Sequence, residues 1–189
     1  MVFVDIKTGD INLNHSRPSE IVDRDKFEAL FHQYKNLVFR VAFLILDDKE
    51  EAEDVLQEVF LKVYRFYHTY DPSKGALTTW LYRITVNQCL KHRRKQKLSL
   101  LSFERFFLLF SQMPKYRAFD DEIAEHDQIH AALTRLSDPM RVVVVLRYFS
   151  ELSYEEISSI LGIPIGTVKS RLARAIKAMQ HELWKENFV

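Results

Sequence analysis

Thr167, Lys169, Ser170, Arg171, Arg174 and Lys177 fall on one side of a helical repeat near the C-terminus. Together they suit one kind of chemistry. Lysine and arginine pair with phosphates, arginine can also read a guanine edge in the major groove, and hydroxyls add neutral contacts. Over residues 157–181 the four Lys and Arg stand against no acid at all. A second acid-free block covers 72–103, with seven Lys or Arg. Such blocks suit a phosphate backbone, with an affinity that falls steeply as salt rises. The acids lie elsewhere: eleven against five bases over 20–60, and five in eight positions over 120–127. Acidic blocks do not approach DNA; they face water or a basic protein surface. The chain's net charge of +1 conceals this alternation.

Other chemistry has little to stand on. The seven histidines (15, 32, 68, 92, 126, 130 and 181) show no metal-ligand spacing joined to a carboxylate motif. His126 and His130, one helical turn apart beside Asp127, read as a solvated helix face rather than a metal site. The sequence contains no P-loop, nucleophile elbow or HExxH, so neither enzyme activity nor a metal or cofactor is expected. Cys89 stands alone, which excludes an intrachain disulfide and a Cys-based zinc cluster, and it reads as buried filler. With 47% apolar and 28% charged residues, four Gly and five Pro, the 189-residue chain is neither collagen-like nor mostly disordered. Its N-terminus does not read as a signal peptide. The apolar stretch 98–110 is interrupted by Ser102, Glu104 and Arg105 and is too short to span a bilayer. A soluble, cytoplasmic protein is expected.

The elements that must position these residues are helices, so the expected fold is all-α: two small helical domains joined by a linker. Residues 1–22 read as a tail. Apolar spacing of three and four predicts a helix over 25–46, and Asp48 with Glu51 fits a capping box opening a second helix over 49–67. Tyr70-Asp71-Pro72-Ser73-Lys74-Gly75 marks a break before a third helix over 76–94, where Leu77, Trp80, Leu81, Ile84, Val86 and Leu90 are candidates for burial. Trp80 reads as core. The first domain is then 23–97, the linker 98–122 with Pro114 inside, and the second domain 123–189. In the second domain Ile129, Leu133 and Leu136 form a stripe, and Pro139 opens a helix over 139–149. The Val142-Val143-Val144-Val145 run has strand propensity, but its helical surroundings favour helix. Ser153 and Glu156 form a capping box for 154–161, Gly162 ends that helix, and a longer one follows over 165–182 with Val168, Leu172, Ala175, Ile176 and Met179 on its core face. Helix, glycine-containing turn and helix make a helix-turn-helix. Backbone N–H groups near Gly166 and Thr167 also suit a phosphate.

Three segments in this order resemble the bacterial sigma-70 family, in its extracytoplasmic-function (ECF) group: Ala52-Glu53-Asp54-Val55-Leu56-Gln57-Glu58-Val59-Phe60-Leu61-Lys62-Val63, Thr79-Trp80-Leu81-Tyr82-Arg83-Ile84 with Asn87, and Gly166-Thr167-Val168-Lys169-Ser170-Arg171-Leu172-Ala173-Arg174-Ala175. The resemblance covers about residues 24–182. It implies a dissociable subunit, with no catalytic centre of its own, that binds core RNA polymerase and directs promoter recognition and melting. Region 2 would occupy the first domain. There Asp54, Gln57, Glu58 and Lys62 would grip the clamp helices of the largest polymerase subunit. The third helix and the loop before it would recognise the −10 element as its strand unwinds, through Tyr67, Tyr70, Arg83, Asn87, Lys91, Arg93, Arg94 and Lys95. Region 4 would occupy the second domain and read the −35 element of duplex promoter DNA. Its residues would be Thr167, Lys169, Ser170, Arg171, Arg174 and Lys177, with Arg141 and Arg147 reaching the backbone. Control by an anti-sigma factor, often membrane-anchored in this family, is also implied.

Two departures stand out. Leu136-Ser137-Asp138-Pro139-Met140-Arg141 is longer than the family's usual Leu-Pro before the first Arg. The linker stretch 98–110 is far more apolar than the polar linkers of the family, which suggests cover by a partner or by packing in cis. The competing reading is an autonomous helix-turn-helix regulator that binds duplex DNA without polymerase and dimerises on a palindrome. A purely structural helical protein is a third class.

Overall fold

The computed structural model describes residues 22–98 and 127–186, with side chains over 22–95 and 129–182. The linker, most of the expected tail, His126 and the start of the second domain at 123 lie outside the described residues. The described chain is all-helical, as expected. Helix α1 spans Arg24–Leu46 and α2 spans Lys49–Phe66. Short 3-10 turns at Tyr67–Thr69 and Pro72–Lys74 lead to α3, Leu77–Leu98. The second unit holds α4 (Asp127–Thr134), α5 (Asp138–Val144), α6 (Tyr154–Leu161) and α7 (Ile165–Glu186).

Local chemistry accounts for the boundaries. Asp47 closes α1 in the left-handed region (φ 60°), a conformation that Asp tolerates better than most residues. Asp48 then caps α2 by accepting a hydrogen bond from the Glu51 amide at 2.9 Å. These two caps fold α1 and α2 into a tight antiparallel pair, and α3 packs across both. Val38, Ile45, Val55, Val59, Phe60, Val63, Leu81 and Val86 are fully buried between them. Thr85, Gln88 and Cys89 are buried as well, and desolvation pushes the Cys89 thiol well above its usual range. Val22, at the end of the expected tail, is also buried, and its N–H approaches the Tyr64 carbonyl at 3.4 Å.

In the second unit the valine run is helical. Winding passes from α at Val144 to π over Val145–Phe149, a change that apolar spacing did not foretell. Residues 141–146 are all buried. Leu133 and Leu136 are buried as expected, whereas Ile129 and Ile176 are exposed, at the edges of their stripes rather than in the core. The Ser153–Glu156 capping box is complete: Ser153 Oγ accepts from the Glu156 amide, and the Glu156 carboxylate accepts from the Ser153 amide. Gly162 closes α6 at φ 63°. The Ile163 carbonyl accepts from Ser158 Oγ at 2.6 Å, and the Pro164 carbonyl accepts from the Thr167 and Val168 amides. The turn between α6 and α7 is therefore held at both ends.

The two units are packed on each other. Helix α3 lies against α6, and α1 against α5 and the π-wound segment, so their buried side chains form one continuous core.

Candidate nucleic-acid interface

On α7 the buried stripe Val168, Leu172 and Ala175 turns the opposite side outward. Lys169, Ser170, Arg174 and Lys177 are exposed, and Thr167 and Arg171 are half-buried. Two of these side chains are held along their own helix. Ser170 Oγ donates to the Thr167 carbonyl at 3.1 Å, and Arg174 Nε donates to the Ser170 carbonyl at 3.2 Å. Lys169 Nζ lies 5.5 Å from the centre of the Tyr154 ring, whose neighbourhood also holds the Arg147 guanidinium at 5.3 Å. Arg147 also donates to the Leu152 carbonyl at 2.9 Å, so it braces the loop before α6. Arg171 points away from that cluster, into a cleft shared with α3 and α5.

Arg141 is placed otherwise than expected. It is 4% exposed, and its guanidinium donates to the carbonyls of Leu133 (2.9 Å), Ile45 (2.9 Å) and Thr134. Burial, followed by repulsion from Arg93, lowers its pKa. In this arrangement it ties α4 and α5 to the C-terminus of α1 and presents nothing to a DNA backbone. The sequence held a signal for this. A helix apolar all round is buried, so a cation inside such a run must be buried among its own acceptors.

On α3, Arg83, Asn87, Lys91 and Arg94 are exposed along one side at helical spacing. Arg83 donates to the Ser159 carbonyl (3.0 Å) and hydroxyl (3.1 Å) on α6. Arg93 faces inward instead. It donates to the Ile45 and Leu46 carbonyls at 3.0 and 2.8 Å and lies 3.7 Å from the Asp138 carboxylate. The free carbonyls at the end of α1 thus receive guanidinium donors from both units.

Tyr67, Tyr70 and Trp80 form a cluster in front of α3, with ring centroids 6.0–6.4 Å apart. Tyr70 donates its hydroxyl to the Gly75 carbonyl at 3.1 Å, and Lys26 Nζ stands 4.5 Å over the Tyr67 ring. Trp80 is half-buried and packs against the core, consistent with its core reading, but its edge also joins this cluster. Asp54, Gln57, Glu58 and Lys62 share one side of α2. Glu58 accepts from Gln88 Nε2 at 2.8 Å and pairs with His92 at 3.3 Å; the His92 hydrogen bond is the main reason its pKa is lowered. Asp54, exposed but crowded by neighbouring chain and carboxylates, has its pKa raised, chiefly by desolvation. Sequence reasoning missed Lys26, Gln88, His92 and Tyr154, because only the packing of separate helices gives them their partners. No group of His, Cys, Asp and Glu that could hold a metal ion occurs among the described residues.

Family models place this geometry. Residues 30–98 match sigma-70 region 2, and residues 126–179 match sigma-70 region 4. The ECF RNA polymerase sigma factor SigW of Bacillus subtilis is 31% identical over 172 residues, covering 85% of this chain and 90% of the relative. The chain belongs to the ECF group of the sigma-70 family. Another relative of this sigma factor is the RNA polymerase sigma-H factor of Pseudomonas aeruginosa, 31% identical over 85% of this chain and 88% of the relative. Two solved structures share the fold. One is the sigma factor RpoE in complex with the anti-sigma factor NepR from Bartonella quintana (TM-score 0.64, 23% identity, 84% of this chain and 97% of that one). The other is CnrH in complex with the cytosolic domain of CnrY (TM-score 0.60, 21% identity, 85% and 89%). As a member of this family the chain is not an enzyme. Among the described residues no helix is long and apolar enough to cross a membrane.

Proposed function

We propose that this sigma factor binds core RNA polymerase and directs it to promoters with −35 and −10 elements. The −35 element is read in the major groove by α7 through Lys169, Ser170, Arg171, Arg174 and Lys177, with Thr167 at the helix start. The −10 element is engaged and opened by α3 and the loop before it. There Arg83, Asn87, Lys91 and Arg94 offer phosphate and edge contacts, and the Tyr67–Tyr70–Trp80 cluster offers a stacking surface for an unpaired base. Asp54, Gln57, Glu58 and Lys62 meet the clamp helices of the largest polymerase subunit. The observation that carries the reading is the exposed cationic side of α7, set in a helix-turn-helix whose first helix is capped at both ends.

An anti-sigma factor holds the protein inactive in the cytoplasm, or at the membrane where that partner is anchored there. This part of the proposal is supported by likeness to two proteins solved with NepR and with the cytosolic domain of CnrY. With the two units packed together, Arg83 and Arg93 are engaged between them. Promoter reading by both units then needs them to move apart.

Mobility-shift assays on a pool of the host's genomic fragments test the proposal. Chain plus core polymerase should retain fragments that share two short motifs at fixed spacing, and the chain alone should retain none of them selectively. Selective retention of palindromic duplexes by the chain alone would overturn the proposal and leave an autonomous regulator.

A further inference from the structure

A cleft of about 350 Å³ opens between the two units. Its floor is apolar: Leu90 of α3, Pro139 and Val142 of α5, and Leu161 of α6. Its polar groups are Arg93, Arg94, Arg171 and Asp138. The Asp138 carboxylate faces Arg93, whose guanidinium also serves the α1 carbonyls. Arg94 and Arg171 have no hydrogen bond or ion pair to any of the described residues, although they come from different units. Closing the units therefore brings to the same cleft two guanidiniums that have no ion-pair partner among the described residues. Like charges gathered in this way oppose closure.

We propose that this cleft is a binding site for a small phosphate-bearing ligand that bridges Arg94 and Arg171 and locks the closed arrangement. Guanidinium forks match phosphate oxygens in pairs. A ligand with adjacent phosphates places one on each arginine and turns the repulsion into attraction through a shared anion. The cleft lies within the size range of small-molecule pockets, and its apolar floor suits a flat base or another apolar group attached to the phosphates. Because the ligand contacts both units, it binds the closed form more tightly than the open one and shifts the population toward it. Arg94 and Arg171 belong to the surfaces proposed to read DNA, so the same ligand would withdraw both from a promoter.

Calorimetric titration of the full chain at fixed ionic strength tests this, without polymerase or promoter, so its outcome is separate from that of the promoter-reading proposal. The probes are pyrophosphate and a nucleoside triphosphate; tighter binding of the second would assign a role to the apolar floor. The expected result is one saturable site per chain. Arg94→Gln and Arg171→Gln should each weaken it at least tenfold, and Arg65→Gln, an exposed cation on α2 outside the cleft, should not. Dyes on Glu28→Cys and Glu155→Cys, one exposed position in each unit, should show energy transfer rising on binding; the buried Cys89 stays unlabelled. No saturable binding of either probe would overturn the proposal. So would binding that survives either arginine substitution, since a site needing only one unit is not a bridge.

Discussion

Arg141 shows at the scale of a single residue how placement decides role. Its guanidinium is buried and satisfies three carbonyls from α1 and from the end of α4. Replacing it with methionine keeps the bulk and strands those acceptors, so Arg141→Met should cost about 2–4 kcal/mol of stability. Urea denaturation of the two proteins checks this, and equal midpoints would contradict the role. Glu58 gives a prediction in pH. Its folded pKa lies below the ordinary 4.5 because His92 donates to its carboxylate. A depressed carboxylate adds stability that is fully present above its unfolded pKa and lost as pH falls through the folded one. The stability gap between wild type and Glu58→Gln should therefore narrow below about pH 4.5, as chemical denaturation at a series of pH values would show. Asp54 works in the opposite sense. Its raised pKa marks a charged form that folding disfavours, so part of any loss from Glu58 on acidification is offset at the neighbouring position.

At the scale of the element, α7 separates two functions by face: Val168, Leu172 and Ala175 fix it to its unit, and Lys169, Arg174 and Lys177 stay in water. A phosphate contact and a base contact differ in what their loss does. Removing Lys177, if it touches backbone, should weaken promoter binding by the polymerase complex about equally across sequences and reduce the salt slope by about one. A residue making a bidentate base contact should instead cost about 1–3 kcal/mol at one promoter position. Binding of Lys177→Ala and Arg174→Ala complexes to a set of single-base promoter variants, over a range of salt, distinguishes the two. Much of the helix-turn-helix that carries α7 was legible in the sequence. Ser153, Glu156 and Gly162 state where α6 begins and ends in side-chain and backbone chemistry that acts within a few residues. The π-wound segment was not legible, because apolar spacing over 142–146 is satisfied by a run buried on every side and leaves the winding unspecified. The aromatic cluster was half legible. Tyr67 and Tyr70 stood out by type, whereas Lys26 joins them from a helix some forty residues earlier.

For the whole molecule, charge alternates along the chain while the units share a core. The acidic side of α2 and the cationic sides of α3 and α7 could be read directly from the sequence, since charge blocks survive any folding. The closed packing could not, because its contacts join residues with no periodic relation. Arg83 and Ser159 are 76 positions apart, and Arg141 and Ile45 are 96 apart. On the proposed reading, one chain carries both a polymerase-binding side and promoter-reading sides. The decisive experiment is run-off transcription, with purified chain added to sigma-free core polymerase over the host's promoter fragments. A co-purified inhibitor must first be excluded by mass spectrometry of the preparation. Discrete transcripts from defined start sites are expected, lost in the Asp54→Ala/Gln57→Ala double variant while its helix content by circular dichroism is unchanged. No initiation with core polymerase, together with selective duplex binding by the chain alone, would contradict the proposed reading.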